Sequence, residues 1–173
     1  MTKGHRMALN GHLQTNKVKY IAPFISLIHS VDSLKLLTEI NKQAEKNNRV
    51  IDCLLQIYIA DEETKYGLGF DEVIVLLESQ EFAALKNIRI VGVMGIATNS
   101  ENMKQINEEF YELKTLFEGL KIAYFKNEPS FKEISMGMSS DYQIAIEQGS
   151  TLVRIGSDIF GERVIKHFKN QEE

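Results

Sequence analysis

The apolar positions of this chain alternate between two periods. Leu34, Leu37, Ile40 and Ala44 recur at helical spacing behind Asp32 and Ser33, either of which suits an N-cap, and Asn47-Asn48 closes the segment. Val50 to Ile59 then runs almost without polar interruption, the mark of a parallel strand covered on both faces. Asp71 to about Leu85 returns to the helical period with a break near Ser79, and Ile88 to Ile96 is the next strand. Asn99-Ser100-Glu101 is a plausible cap for a long helix through Leu120, with Ile106, Phe110, Leu113, Leu116 and Phe117 on one side. Ile134 to Met136 predicts a short strand, Asp141 to Gln148 a short helix ending at Gly149, and Leu152 to Ile155 the last strand. An earlier strand is predicted over Phe24 to His29.

Strands and helices that alternate in this way imply a parallel α/β fold with right-handed crossovers, either an open doubly wound sheet or a barrel. In both, a ligand site lies where strands end and helices begin. The polar residues at those points are His29-Ser30, Asp61 to Lys65, Ala97 to Asn99, Ser139-Ser140 and Gly156-Ser157.

Composition narrows the class. The 173 residues predict a single domain over 1–173, large enough to bury its own core, without a linker or sequence repeat. Hydrophobic residues make up 43% and charged residues 25%, which is globular rather than disordered. A net charge of −4 argues against a dedicated nucleic-acid surface. No apolar run approaches the ~20 residues of a membrane span, and the start lacks the apolar stretch of a signal peptide. Cys53 is the only cysteine and sits in an apolar strand, which suits a reducing compartment; the expectation is a cytoplasmic protein without membrane or nucleic-acid partners.

Two segments in the last quarter carry candidate chemistry. Ser139 follows Met136-Gly137-Met138 at a strand exit, and its hydroxyl together with backbone donors could hold phosphate oxygens; the same residues through Asp141 also read as a simple N-cap cluster. Gly156-Ser157 follows the last strand, where exposed amides could form an anion nest or an ordinary turn. Arg154 alternates with Val153 and Ile155, so it faces either a ligand pocket or a carboxylate such as Glu147 or Glu162. Gly11 to Lys17 lacks the glycine-lysine-serine order of a nucleotide-binding loop, and His5, His12, His29 and His167 are scattered without partners at metal-ligand spacing.

Taken in order, these segments resemble the pyridoxal-phosphate homeostasis protein family, also called YggS or PROSC-like. The motifs are Gly11-His12-Leu13-Gln14-Thr15-Asn16-Lys17, His29-Ser30-Val31-Asp32-Ser33, Glu62 to Gly67, Gly92-Val93-Met94, Ser135 to Asp141 and Val153 to Gly156. The resemblance implies a (β/α) barrel like the alanine racemase N-terminal domain, holding pyridoxal 5'-phosphate at its strand ends. Ser139, Gly156 and Ser157 would then hold the phosphate and Arg154 would face the pyridine nitrogen, with His29 and Asn16 near the mouth or beneath the ring. It further implies a carrier or regulator of cofactor supply rather than an enzyme.

The family has a longer segment before the Gly-x-Leu-Gln motif, forming two strands and carrying the Schiff-base lysine. Ten residues precede Gly11 here, and Met7-Ala8-Leu9-Asn10 stands where Trp-His-x-Ile is usual; the lysine's role is transferred to none of Lys3, Lys17 and Lys19. The expected fold is therefore a truncated TIM-type (β/α) barrel of about six parallel strands, with cofactor binding that is not covalent. Open barrel edges imply a homodimer. Two alternatives remain, an amino-acid racemase-like enzyme and a structural or interaction protein without ligand.

Overall fold

The computed structural model describes residues 7–61 and 66–161. The expectations attached to Lys3, His5, Glu62 to Lys65, Glu162 and His167 lie outside the described residues. Six strands, β1 (Met7–Leu9), β2 (Ile25–Val31), β3 (Ile51–Ile57), β4 (Ile88–Gly95), β5 (Glu133–Met138) and β6 (Leu152–Arg154), pair in parallel and in sequence order. A doubly wound sheet reverses its strand order at a switch point, and this sheet does not. Met7 and Ala8 of one edge strand and Leu152 of the other line the same cavity, so the sheet curls into a half-barrel with β1 and β6 as its two edges.

Helices fill the crossovers, α1 (Val18–Ile21), α2 (Leu34–Lys46), α3 (Phe70–Glu78), α4 (Gln80–Ala83), α5 (Met103–Ala123) and α6 (Tyr142–Glu147), and α7 (Ser157–Phe160) follows β6. Ser33 caps α2 by accepting a hydrogen bond from Leu36 N at 3.3 Å, and Asn48 turns the chain out at φ 53°. The predicted break at Ser79 is real, because its hydroxyl accepts from Phe82 N and starts α4. The start of α5 differs from the sequence expectation. Ser100 Oγ accepts from Asn102 N and closes a short turn, which moves the cap to Asn102, whose Oδ1 accepts from Gln105 N at 3.3 Å. Strand β1 was not located by its periodicity; at three residues it is too short to show one.

The main core lies between the helices and the convex face of the sheet, with Ile28, Leu37, Ile40, Cys53, Leu55, Val93, Phe110, Leu113 and Phe131 buried together. Leu54, Val91 and Met94 form a second cluster with Leu27, Ile96 and Leu152 on the concave side. Strand β3 is thus covered on both faces, as its unbroken apolar run predicts. Cys53 lies wholly inside, and burial, with Asp52 beside it, pushes its thiol far above the usual range. It is a small core residue rather than a nucleophile.

The β4–β5 junction requires a glycine. A Cβ at Gly92 would stand 1.8 Å from Glu133 O, where the two strands pair. Gly92→Ala is expected to lower stability by about 3 kcal/mol, since backbone must move to admit the methyl group; urea unfolding checks this.

Candidate functional site

The strand C-termini carry the polar residues. His29 and Ser30 stand at the end of β2, where the pairing with β3 shifts register between Ile28 and Val31. The Ser30 hydroxyl donates to Gly11 O and so anchors the Gly-His-Leu-Gln turn on the sheet. His12 stacks on Tyr66 with ring centroids 4.3 Å apart, and its Nδ1 lies 3.6 Å from Asp32 Oδ2. Asn10, Gly11, His12, Gln56, Tyr66, Met94 and Ile96 enclose a pocket of about 160 Å³.

Beside it is a larger cavity of about 500 Å³, lined by Asn10, Met138, Ser139, Ser140, Arg154, Gly156, Ser157, Phe160 and Gly161. Parallel pairing of β5 with β6 brings the two predicted segments together. Ser139 Oγ accepts from Gly156 N at 3.3 Å and from Asp158 N at 3.4 Å, tying the exit of β5 to the first turn of α7. A Cβ at Gly156 would meet nothing within 4 Å, so its backbone is open to the cavity. Asp141 holds the N-cap position of α6, yet its carboxylate accepts from Met138 N at 2.6 Å rather than from a helix amide. The N-cap reading of that cluster is corrected accordingly: Asp141 braces the strand exit.

Arg154 settles two of the alternatives given for it, the cavity and Glu147, while Glu162 lies outside the described residues. Its Nη1 donates to Ser135 Oγ and its Nη2 to Gly95 O, each at 2.9 Å, while the side chain also lines the cavity. No salt bridge to Glu147 forms. Burial lowers its pKa to about 10, with the Asp141 carboxylate acting in the opposite direction, so it remains charged at neutral pH. Ser135 Oγ lies 2.9 Å from His29 Nδ1, which links His29 to the cavity through two side chains. His29 is buried, and desolvation together with the Arg154 charge lowers its pKa to about 4.

Of the six residues singled out from the sequence, Ser139, Arg154, Gly156 and Ser157 share one cavity. His29 reaches it through Ser135, and Asn16 sits exposed in the 3₁₀ turn Thr15–Lys17, away from both pockets. Two further residues shape the strand ends: Ser135, which the sequence marks only as the start of a motif, and Glu109, which it does not mark. Glu109, buried on α5, accepts from Thr98 N and Thr98 Oγ1 at 2.6 Å and from Gln105 Nε2 at 3.2 Å. Thr98 Oγ1 in turn accepts from Asp61 N at 3.0 Å, so one carboxylate holds the loops after β3 and β4 together. The available signal was a glutamate within the apolar stripe of Ile106 and Leu113.

This geometry defines an α/β half-barrel whose strand ends surround a cavity with one desolvated cation and several hydroxyls. The profile described as "Alanine racemase, N-terminal domain" matches residues 2–164, and the chain belongs to that family. A pyridoxal phosphate homeostasis protein of Aquifex aeolicus is 41% identical over 153 residues, covering 88% of this chain and 65% of that protein. The protein of the same name from Escherichia coli K12 is 37% identical over 154 residues, covering 88% and 63%. The chain thus spans slightly less than two thirds of the length of these relatives. Among solved structures, PipY of Synechococcus elongatus PCC7942 with PLP bound superimposes with a TM-score of 0.77 at 28% identity, covering 90% of this chain and 70% of that one.

The His29 shift has a defined sign. Its folded pKa is depressed, so the unfolded chain takes up a proton near pH 6.5 while the folded chain does so only near pH 4. The contribution of neutral His29 is complete above pH 6.5 and is lost as pH falls from there to about 4. Stability curves of the native chain and His29→Asn are expected to converge over that interval and run parallel above it; chemical denaturation at stepped pH measures the difference.

Proposed function

We propose that this chain is a non-enzymatic pyridoxal 5'-phosphate-binding homeostasis protein, with the cofactor held in the Ser139–Arg154–Gly156–Ser157 cavity. The observation that carries the reading is the pairing of a half-buried, charged guanidinium with two serine hydroxyls and an open glycine backbone in a cavity of about 500 Å³. That donor set fits a small phosphorylated heteroaromatic molecule. Ser139, Gly156 and Ser157 would take the phosphate, and Arg154 the ring nitrogen. Relatives named for pyridoxal phosphate homeostasis, and a similar structure with PLP bound, support the assignment.

The bound cofactor would supply an aldehyde and an electron-withdrawing ring. Arg154, as a permanent donor, would keep the ring nitrogen unprotonated and the ring a poor electron sink. This supports storage or delivery rather than turnover. The described lining offers hydroxyls, an amide and a guanidinium, with no lysine and no group titrating near neutrality, so the binding is read as non-covalent. No helix among the described residues is long and apolar enough to cross a membrane, and the cytoplasm is the proposed compartment. His29 would act through Arg154, and Asn16 would contribute only at the outer rim.

Pyridoxal phosphate is expected to raise the thermal midpoint and quench protein fluorescence saturably, and Arg154→Leu to weaken that binding by about tenfold or more. Absence of any saturable response in the native chain would defeat the assignment. Borohydride treatment followed by intact mass measurement is expected to leave the chain unmodified; a pyridoxyl adduct would reveal a lysine grip instead.

The same reading includes a homodimer. Among the described residues β1 and β6 each pair on one side only, which leaves backbone donors and acceptors along both edges. Met7 at 51% exposure and Val153 at 38% add apolar surface there. Sedimentation velocity at micromolar concentration is expected to show a dimer, and a well-behaved monomer would refute this part.

A further inference from the structure

Three side chains form a line across β2, β5 and β6, and elementary chemistry sets the direction of each proton in it. A guanidinium only donates, so at the 2.9 Å contact with Arg154 Nη1 the Ser135 oxygen accepts. The second nitrogen, Nη2, donates to Gly95 O and leaves the arginine little freedom to rotate away. Ser135 Oγ is also 2.9 Å from His29 Nδ1. A hydroxyl has one proton. Ser135 is wholly buried, so that proton has no access to bulk water.

Two arrangements of the His29 contact are conceivable. If Nδ1 carried the ring proton, Ser135 Oγ would receive two donors and its own proton would lack an acceptor among the described residues. If Nδ1 is bare, Ser135 donates to it and accepts from Arg154, and the serine's proton and lone pair are both used. The second arrangement avoids an unpaired buried hydroxyl proton, whose cost is comparable to a lost hydrogen bond. The doubly protonated ring is excluded separately, because it would set a second positive charge beside Arg154, in agreement with the depressed basicity of His29.

We infer that Ser135 is a positioning residue that accepts a hydrogen bond from Arg154 and donates one to His29, fixing the guanidinium at the cavity wall and His29 as the neutral Nε2–H tautomer. Among the described residues both bonds of the guanidinium go to neutral oxygens, a hydroxyl and a carbonyl, and no carboxylate is in contact with it. Arg154 consequently favours a ligand atom with a free lone pair or a negative charge and disfavours one that carries a proton. The consequence for cofactor binding rests on the function proposed above; the tautomer does not.

The two are separated by experiment. Nitrogen-15 spectra of the histidine rings, recorded at neutral pH without ligand, are expected to show Nδ1 of His29 unprotonated and Nε2 protonated. Ser135→Ala removes the donor and is expected to shift His29 toward a mixture of tautomers and to weaken pyridoxal phosphate binding about tenfold, the range for a lost hydrogen bond to a charged group. Ser135→Cys, close in size, serves if the alanine variant does not fold, and is expected to show the same tautomer change in weaker form. A protonated Nδ1 in the native chain, or a tautomer unmoved in both variants, would overturn the inference. Should the native chain bind no pyridoxal phosphate, the tautomer still decides the case for Ser135.

Discussion

A guanidinium withdrawn from water has to be hydrogen-bonded or it destabilises the fold that buries it. Arg154 meets that constraint by reaching from β6 to the Ser135 hydroxyl on β5 and to the Gly95 carbonyl at the end of β4. Its two bonds join three neighbouring strands. The residues at and after the C-terminal ends of two of them, β5 and β6, line most of the cavity. If the three strands slipped in register, Arg154 would lose its acceptors and the Ser139–Gly156 contact would open with them.

The half-barrel supplies what that constraint needs. Strands in unbroken sequence order curl until β1 and β6 border the same interior, and the concave cluster of Leu54, Val91 and Met94 seals one side of it. Low solvent access around the strand ends lowers the basicity of both basic groups. Arg154 still stays charged at neutral pH, and His29 stays neutral chiefly through burial, with the Arg154 charge adding to it. Glu109 performs a parallel task in the loops after β3 and β4, where a single carboxylate satisfies Thr98 and thereby holds the backbone of Asp61. The site is thus built by buried polar groups on one strand or helix that restrain loops on the next.

Much of this was legible beforehand. The helix over Leu34 to Ala44, the break at Ser79 and the doubly covered strand at Ile51–Ile57 follow from short-range pattern and appear in place. The cap of α5 lies at Asn102, just beyond the expected Asn99-Ser100-Glu101, because Ser100 accepts from the amide of Asn102 and delays the helix. Strand β1 was missed because a three-residue strand exists only through its pairing with β2. Asp141 was read as a cap for the helix that follows, whereas its carboxylate turns back to Met138.

Ser139, Gly156, Ser157 and Arg154 stood out by themselves because hydroxyls and glycines at strand exits, and a charge in an apolar strand, are local signals visible in one dimension. The alternation of strand and helix likewise determined a parallel α/β fold. Only the tertiary structure decided between an open sheet and a curled one, brought Ser139 against Gly156, and showed that Arg154 meets a serine and a carbonyl instead of Glu147. The reason is physical: partners drawn from residues 95, 135 and 154 are set by strand register and sheet curvature, and neither is encoded in the spacing of any single segment.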